Sequence, residues 1–438
     1  MDVKNILIKN GYAVNSKGIS KQDILIKNGK IDSVGDLPKS DLYHTIDATD
    51  KYIFPGIIDP QVHFRDPGLT HKEDLRTGSM AAAAGGVTTF FEMPNTSPAT
   101  TTIKKLNDKY ETASKKSVVN YSFFLGATAN NINEIEQLQD NCGLKIFMGS
   151  STGDLLVDSD EALERIFASC DRIIAVHAED EQTLKDSARF ITGEDFSNHT
   201  KARPVKAAVK ATQKAINLAL KYNRKLHVLH LSTAEEVEII RQHSSTGLIT
   251  CETTPQHLLM EAPYIYQKIG AFAQMNPPIR SKRHQDELWK GLLDGTINCI
   301  ATDHAPHTLE EKELPYGQAP SGMPGVETSL TLMLNEVSKG RISLEQVAKW
   351  MSENPAKLYN IKNKGFIIKG YDADITIVDM NKEKVISNNL MQSKCGWTAF
   401  NGTKTKGWPV TTIVNGNIVY DNETLNLDIM GKSVSFSS

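Results

Sequence analysis

The stretch GIIDPQVHFRDPG, residues 56–68, decides the fold that the rest of the chain must accommodate. Its apolar start and polar end are typical of a buried parallel strand whose carboxyl end opens into a site. Side chains alternate along a strand, so Gln61 and His63 share one face, at a spacing that lets two side chains approach one metal ion. Imidazole is a good metal ligand, whereas a neutral amide oxygen is a poor one. This strand alone therefore leaves its function open.

Further apolar runs of strand length follow, separated by segments of helical period. With the first run, they lie at residues 56–64, 88–95, 119–128, 143–150, 173–180, 225–232, 247–255 and 297–306. Helical candidates between them include residues 74–84, 206–221, 233–243 and 283–293. This repeating βα pattern within residues 52–362 predicts an α/β protein with a (β/α)8 TIM-type barrel. The rival is a doubly wound open sheet, but no GxGxxG or Walker loop follows an early strand.

The two ends of the chain have a different pattern, in which short alternating runs break at Asn-Gly pairs. NILIKNG (5–11) recurs as DILIKNG (23–29), and ADITIVD (373–379) and TTIVNGNIVY (411–420) return to the same pattern. Asn-Gly between alternating runs predicts β-hairpins. We therefore expect residues 1–51 and 363–438 to form the two parts of one small β-sandwich domain.

Composition limits the function classes. The 438 residues are 39% hydrophobic and 23% charged with a net charge of −3, which is typical of a globular protein and predicts no affinity for nucleic acid or membranes. We find neither a signal peptide nor an apolar run near the roughly 18 residues of a membrane span, so we expect a cytoplasmic protein. The five cysteines are scattered without a CxxC pair, which fits reduced thiols.

Polar side chains collect at the carboxyl ends of the predicted strands, where barrel enzymes have their active sites. They are His63, Arg65, Asn95, Lys145, His177, His230, Glu252, Asp303 and His307. A single histidine in an apolar strand is more often a hydrogen-bonded core residue than a ligand, and we interpret His44, His199, His227, His243 and His284 in that way. His257 fits a supporting role and a packing role equally. The clustering favours a functional role for His177, His230 and Asp303.

Several motifs resemble those of one known family. ATDHAPHTLEEK (301–312) resembles the dihydroorotase signature around its catalytic aspartate, and HFRDPG, EMPNT, HVLHLST, TTPQHL and MNPPIR resemble other landmarks of that family in the same order. The His-containing strands are shared across the wider cyclic amidohydrolase superfamily. The resemblance covers essentially the whole chain. It implies a metal-dependent hydrolase that interconverts dihydroorotate and N-carbamoyl-aspartate in pyrimidine synthesis.

The resemblance also implies roles for individual residues. His63, His177, His230 and Asp303 match metal ligands, and Asp303 also matches the general acid/base. Lys145 matches a lysine that some dihydroorotases and hydantoinases carry as a carbamate, whose oxygens would bridge two metals; the alternative is a buried, salt-bridged lysine. The expected cofactor is zinc, one or two ions per chain, and such a cation lowers the pKa of water from 15.7 towards roughly 7.

Substrate recognition is implied for a second set of residues. The set is Arg65, Asn95, Asn276, His307, Pro320, Ser321 and Gly322. A guanidinium offers paired donors to a carboxylate, so Arg65 suits the carboxylate of dihydroorotate. The alternative for Arg65 is a salt bridge to Asp66 or Glu92.

Three further expectations remain open from the sequence. A hydantoinase or allantoinase would keep the metal ligands and lose the carboxylate-binding residues. The family has His where this chain has Gln61, which predicts a weaker second metal site, or a non-catalytic scaffold that has lost its activity. We expect a homodimer, on the ground that dimers are the commonest oligomers, and an association with the preceding pathway enzyme is a further option.

Overall fold

The computed structural model describes residues 5–150, 155–189, 191 and 193–437. The strands of the amino-terminal segment are β1 (Ile6–Lys9), β2 (Tyr12–Asn15), β3 (Gly18–Lys21), β4 (Asp23–Lys27), β5 (Lys30–Gly35), β6 (His44–Asp47) and β7 (Tyr52–Pro55). The strands of the central segment are β8 (Ile57–Val62), β9 (Val87–Glu92), β10 (Asn120–Phe123), β11 (Leu125–Gly126), β12 (Leu144–Phe147), β13 (Ile174–His177), β14 (Leu226–Val228), β15 (Ile249–Thr253) and β16 (Cys299–Ile300). The strands near the carboxyl end are β17 (Ile375–Val385), β18 (Lys404–Val414), β19 (Asn417–Asp421) and β20 (Thr424–Leu425).

The α-helices lie mostly between the central strands. They are α1 (Leu75–Ala84), α2 (Ile103–Lys116), α3 (Ile132–Glu136), α4 (Asp160–Ser169), α5 (Glu181–Ala188), α6 (His199–Ala202), α7 (Val205–Tyr222), α8 (Ala234–His243), α9 (Pro255–Leu259), α10 (Tyr264–Ile269), α11 (Lys282–Asp294), α12 (Leu309–Lys312), α13 (Ser329–Ser338), α14 (Leu344–Ala348) and α15 (Asn354–Leu358). Within the described ranges, no helix is both long and apolar enough to cross a lipid bilayer.

The central strands form two parallel sheets, in the orders β10-β9-β8 and β11-β12-β13-β14-β15-β16. Only Phe124 separates β10 from β11, and a parallel bridge between Val62 and His304 joins the outer edges of the two sheets. Each predicted apolar run contains a strand, and the third run contains both β10 and β11. The predicted α/β class and its parallel strands are therefore confirmed.

Helices cover one face of these strands. Side chains alternate between the two faces of each strand, and those on the helix-facing side are buried against the helices. Val176 in β13 and Val228 in β14 lie in one hydrophobic cluster with Ala215 and Ile216 of α7, and all four are fully buried. Burying a side chain such as Ile216 contributes about 1.5–3 kcal/mol. The helices α1, α7, α8 and α11 match the four predicted helical segments to within two residues.

Aromatic side chains of β9 and of the carboxyl-terminal part of the chain pack together in the interior. Phe91 of β9 lies with its ring centroid 5.0 Å from that of Tyr359 and 5.8 Å from that of Phe436. At the start of β10, the Tyr121 amide donates to the carbonyl of Lys432. Residues near the carboxyl end of the chain therefore pack against these strands.

The terminal segments form two antiparallel-rich sheets, in the orders β5-β4-β1-β6 and β20-β19-β18-β17-β7-β2-β3. The second sheet combines strands from both ends of the chain, and β7 pairs with β17 before the chain enters β8. The predicted hairpins at Asn28-Gly29 and Asn415-Gly416 are confirmed: both residues of each turn have positive φ, as a type I′ turn requires.

The Asn10-Gly11 pair differs from the expectation, because β1 and β2 on either side of it lie in different sheets and do not form a hairpin. A Cβ at position 11 would lie 2.5 Å from Cδ1 of Ile53. The crossing between the two sheets is thus too tight for any residue except glycine. An Asn-Gly pair marks the turn correctly but does not determine which strands pair across it.

Candidate metal centre

The parallel strands direct one set of side chains away from the helices and towards a common centre. Lys145 is in register with Ala175, and Phe147 is in register with His177, so these four residues occupy one face. The Lys145 ammonium lies 4.2 Å from the centroid of the Phe147 ring on its own strand. The structure therefore brings Lys145 and His177 to the same side of neighbouring strands.

His177 and His230 meet after the ends of β13 and β14, with Nδ1 of His177 3.1 Å from Nε2 of His230. The other nitrogen of His177, Nε2, lies 2.9 Å from Oε2 of Glu179. An ionised carboxylate can only accept, so Nε2 carries the proton and Nδ1 carries a lone pair. Two ligand nitrogens on one tetrahedral zinc ion lie about 3.3 Å apart. This histidine pair is therefore spaced as two ligands of one cation.

Glu179 keeps His177 in that tautomer, and Arg203 keeps Glu179 ionised. Nε of Arg203 donates to Oε2 of Glu179 at 2.9 Å, and another guanidinium nitrogen donates to the carbonyl of Ser150 at 2.7 Å. Burial acts to raise the pKa of Glu179, but the Arg203 charge holds that pKa well below its usual range. An acceptor behind a histidine ligand orients the ring and increases its basicity.

His63 and Asp303 form a second pair, with Nε2 of His63 3.0 Å from Oδ1 of Asp303. Nδ1 of His63 donates to Oδ1 of Asn95 at 2.7 Å, so in the neutral ring Nε2 carries the lone pair. Burial lowers the pKa of His63 and favours that neutral ring. A nitrogen lone pair thus faces a carboxylate oxygen, an arrangement that calls for a cation or a shared proton.

Gln61 lies in this second pair. Its Nε2 donates to the same Oδ1 of Asp303 at 3.0 Å, and its buried Oε1 has no hydrogen-bond partner among the described residues. The amide therefore uses its donor on Asp303 and leaves only a weak neutral acceptor towards the centre. A histidine here would have supplied a strong ligand.

Lys145 is a buried lysine at the centre of the site. Its side chain is 1% exposed, and in the described part of the chain its Nζ has no hydrogen-bond partner. Burial lowers the pKa of Lys145 to about 7. The alternative of a salt-bridged lysine is therefore not what the geometry shows, because no carboxylate lies within ion-pair distance of Nζ over the described ranges. A neutral amine is the form that reacts with carbon dioxide.

Three residues of the site have a backbone conformation that L-amino acids seldom adopt. Arg65, His230 and Asp303 have φ values of 63°, 36° and 48°. Each costs of order 1–3 kcal/mol, and such residues cluster at functional sites. The strain turns side chains at the strand ends towards one another.

Arg65 lies beside the second pair with His307. Nε of Arg65 donates to the carbonyl of Pro306 at 3.3 Å, and a terminal nitrogen lies 3.4 Å from Nε2 of His307. The predicted alternative partners are occupied by lysines: Asp66 by Lys116 at 2.7 Å, and Glu92 by Lys109 at 3.1 Å. Burial lowers the pKa of Arg65 to about 10, so the side chain remains cationic at neutral pH.

His307 is neutral and fixed on both sides. Its Nε2 donates to the carbonyl of Ser321 at 3.1 Å, and its Nδ1 accepts from the Lys72 ammonium at 3.0 Å. Burial lowers the pKa of His307 to about 3.

The segment Pro320–Gly322 is held beside His307 by a buried lysine. Nζ of Lys312 donates to the carbonyl of Pro320 at 2.8 Å and to that of Gly322 at 3.0 Å. Gly322 has a φ of 142°, and a Cβ there would lie 2.5 Å from the carbonyl oxygen of Ala305. Only glycine fits this position, so the backbone of the segment is closely defined.

Asn276 and three further histidines have partners within the protein, whereas His44, which the sequence placed in the core, is exposed on the edge strand β6. His199 Nε2 lies 2.9 Å from Oδ1 of Asn276, which makes His199 a support of the predicted site and more than a packing residue. His257 Nε2 lies 3.1 Å from the carbonyl of Pro277 and is buried. His227 is buried, as the sequence predicts, with its Nε2 3.0 Å from Oε2 of Glu252.

The sequence interpretation missed Glu179, Arg203 and Lys312. A usable signal existed for Glu179, which lies two residues after His177, just beyond the end of β13 and within the apolar run at residues 173–180. The other two act through contacts with residues distant in the chain, which no local pattern reveals.

Comparison with known proteins identifies the family. Residues 52–419 match the amidohydrolase family. A dihydroorotase of Methanosarcina acetivorans is 37% identical, over 96% of this chain and 93% of the relative, and an L-hydantoinase of Paenarthrobacter aurescens is 35% identical, over 95% and 94%. The solved structure of an L-hydantoinase (dihydropyrimidinase) from Arthrobacter aurescens is 33% identical, with a TM-score of 0.94 over 99% of this chain and 100% of that chain.

The chain belongs to the amidohydrolase family. It is a metal-dependent cyclic amidohydrolase, and the resemblance to dihydroorotases is confirmed by relatives that match over nearly the full length. The α/β architecture is that of the hydantoinase structures.

Proposed function

We propose that this chain is a dihydroorotase, which interconverts (S)-dihydroorotate and N-carbamoyl-L-aspartate in pyrimidine biosynthesis. The observation that carries the proposal is the buried guanidinium of Arg65, which has no carboxylate partner in the described part of the chain. Dihydroorotate has a ring carboxylate that hydantoin and dihydrouracil lack. A buried arginine beside the metal centre supplies the charge and the paired donors that such a carboxylate requires.

The donor set fits divalent zinc. A nitrogen lone pair faces a carboxylate oxygen in the His63–Asp303 pair, the facing nitrogens of His177 and His230 lie 3.1 Å apart, and Lys145 is buried without a partner among the described residues. These five residues would hold one or two cations, with Lys145 as a carbamate. When bound, the cation activates water and polarises the amide carbonyl.

The protein's own groups move the proton and orient the ring. Oδ1 of Asp303 takes the proton of the attacking water and delivers it to the ring nitrogen that leaves. Gln61 donates to that same oxygen and holds the carboxylate in place. Glu179 keeps His177 in the tautomer whose Nδ1 faces the centre.

Substrate binding falls to the groups around Arg65. We assign the ring carboxylate to Arg65 and Asn95 and the ring amides to Asn276, with His307 and the backbone of Pro320–Gly322 closing over the ring. The Asn276 amide oxygen is engaged by His199, so its Nδ2 is the group left to donate.

A second candidate is a hydantoinase. The favouring observation is the similarity to the L-hydantoinase structure, which extends over the whole chain. Such an enzyme would use the same metal ligands without needing a carboxylate-binding cation. An inactive scaffold is the remaining alternative, and Gln61 is the feature that points to it.

The decisive experiment compares substrates. Zinc-supplied protein is assayed with dihydroorotate, hydantoin and dihydrouracil, as wild type, as Arg65→Ala and as Arg189→Ala, an exposed control. We expect preference for dihydroorotate, and a loss in kcat/KM of about 30-fold or more for Arg65→Ala with dihydroorotate alone. A preference for hydantoin that Arg65→Ala leaves intact would identify a hydantoinase. Metal-free, inactive protein would favour the scaffold.

The proposal also covers the domain architecture, the cellular location and the assembly of the protein. We propose that the two parallel sheets close into a (β/α)8 barrel over residues 52–362. Residues 1–51 and 363–438 would form the small β-sandwich, supported by the cluster of Ile8, Ile24, Ile375 and Ile413 between the terminal sheets. A cytoplasmic homodimer, with an option to associate with the preceding pathway enzyme, remains part of the proposal.

A further inference from the structure

A second group of metal-ligating side chains lies apart from the centre described above. His227, Glu252 and Cys299 belong to the neighbouring strands β14, β15 and β16, and Glu252 and Cys299 are register partners. One ligating atom from each residue lies within 4.8 Å of the others. All three side chains are fully buried. No role in binding substrate or in the proposed catalysis falls to any of them.

The hydrogen bonds of His227 direct one ring nitrogen into this group. Nδ1 lies 2.9 Å from Oγ1 of Thr250, whose hydroxyl donates to the carbonyl of Leu226 at 3.1 Å. With the hydroxyl proton on that carbonyl, Oγ1 accepts from Nδ1–H, so Nε2 carries the lone pair. That lone pair faces Oε2 of Glu252 at 3.0 Å. Two acceptors at this distance need a cation or a proton between them.

Further buried polar atoms around Glu252 lack a hydrogen-bond partner among the described residues. Its Oε1 and the hydroxyl of Tyr359 are buried and have no hydrogen-bond partner over the described residues. The Tyr359 ring packs against His227, with the centroids 5.7 Å apart. Burial raises the pKa of Glu252, although the hydrogen bond with His227 acts to lower it. Oε1 of Glu252 and the Tyr359 hydroxyl are therefore interior polar atoms that the described residues leave without a hydrogen bond.

We propose that His227, Glu252 and Cys299 bind a structural zinc ion, in addition to any cation at the catalytic centre. Imidazole, carboxylate and thiolate are all ligands that zinc accepts, and these three residues would supply three of the four ligands of a tetrahedral ion. Binding displaces the thiol proton of Cys299 to solvent. The thiolate and the Glu252 carboxylate then balance the charge of the ion. Ligand atoms about 3.3–3.6 Å apart suit zinc, so the three side chains contract by about 1 Å around it.

Cobalt substitution distinguishes this site from the catalytic centre, which contains no cysteine. The full-length protein is produced with Co²⁺ in place of zinc, and its near-ultraviolet spectrum is recorded for a thiolate-to-cobalt charge-transfer band. We expect the band in wild type, in His177→Asn and in Cys251→Ser, and its loss in Cys299→Ser. Cys251 is a matched control because its thiol lies on the adjacent strand and donates to the carbonyl of Thr296. Zinc-supplied Cys299→Ser should hold one zinc ion fewer per chain than Cys251→Ser.

Absence of the band from wild-type protein would overturn the proposal, whatever the variants do, and would leave a shared proton between His227 and Glu252. A band that survives Cys299→Ser but disappears in Cys251→Ser would also overturn it. Neither result depends on turnover of any substrate, so the proposed function is tested separately.

Discussion

Gln61 donates the hydrogen bond from its Nε2 to Oδ1 of Asp303, the oxygen that His63 also faces. One carboxylate oxygen is thus shared between an amide donor and an imidazole lone pair. Because the amide oxygen of Gln61 is a weak ligand, a cation here has one strong nitrogen ligand where a histidine at position 61 would provide two. The two cation positions of the proposed centre are therefore unequal.

This inequality predicts the outcome of a metal titration. Cys299→Ser protein, which lacks the further site that we propose, should bind one zinc ion tightly and a second at least about 10-fold more weakly. Gln61→His should tighten the second ion by about that factor, because it adds an imidazole ligand. Isothermal titration of chelator-treated protein measures both constants. Two equally tight ions in the Gln61 protein would contradict the prediction.

Lys145 should bind carbon dioxide. Protein prepared with ¹³C-bicarbonate should show a carbamate carbon resonance, and Lys145→Gln should lack it. The same variant should weaken zinc binding at His177 and His230 by about 100-fold or more, since an amide replaces an anionic ligand. Lys109→Gln, at a buried lysine that is paired with Glu92, is the control and should keep the resonance. A Lys145→Gln protein with unchanged zinc affinity would exclude the carbamate as a ligand.

Lys312 should act as a positioning residue for the segment Pro320–Gly322. Lys312→Met removes the donor to the carbonyls of Gln274, Pro320 and Gly322, and we expect KM for dihydroorotate to rise about 10-fold with a smaller change in kcat. Amide hydrogen exchange of Gly322, whose N–H donates to the carbonyl of Gln274, should accelerate in the same variant. Lys290→Met, at an exposed lysine, is the control. Unchanged exchange at Gly322 would show that the lysine does not order the segment.

Asp59 should make stability depend on pH in a direction opposite to that of most carboxylates. Burial raises its pKa from 3.8 to about 7, although Thr302 donates to it twice. The folded state therefore binds more protons than the unfolded state between pH 4 and 7, so stability falls as pH rises through this window. Asp59→Asn keeps the acceptor for the backbone amides and removes the charge. It should gain about 2–4 kcal/mol relative to wild type above pH 7 and little at pH 4.

Thermal unfolding at a series of pH values measures this difference. Asp47→Asn is a control of opposite sign, because hydrogen bonds from Asn10 and Thr49 lower the pKa of the exposed Asp47 to about 2. Its variant should lose stability relative to wild type as pH rises from 2 to 4. A difference for Asp59→Asn that does not vary with pH would show that Asp59 is ionised throughout.

The sequence predicted the elements that depend on local patterns. Apolar runs that end in polar residues identified each central strand, and the position of His177 at such an end indicated its placement beside His230. Local sequence patterns did not reveal which side chains from distant parts of the chain would contact one another. The partners of Lys312 and Arg203 depend on the register and the curvature of the sheets. The Asn10-Gly11 pair makes a similar point for turns, because the same motif forms a hairpin in one place and a crossing between two sheets in another.

The pairing of β7 with β17 brings the two ends of the central segment together. The Gly56 amide donates to the carbonyl of Asp374 at 2.8 Å. Positions 56 and 374 are thus adjacent in space, although more than three hundred residues of chain lie between them. In the domain division that we propose, residues 52–362 are an insertion into the small domain, and a peptide bridge of a few residues between positions 55 and 375 would reconnect β7 and β17 without the insertion.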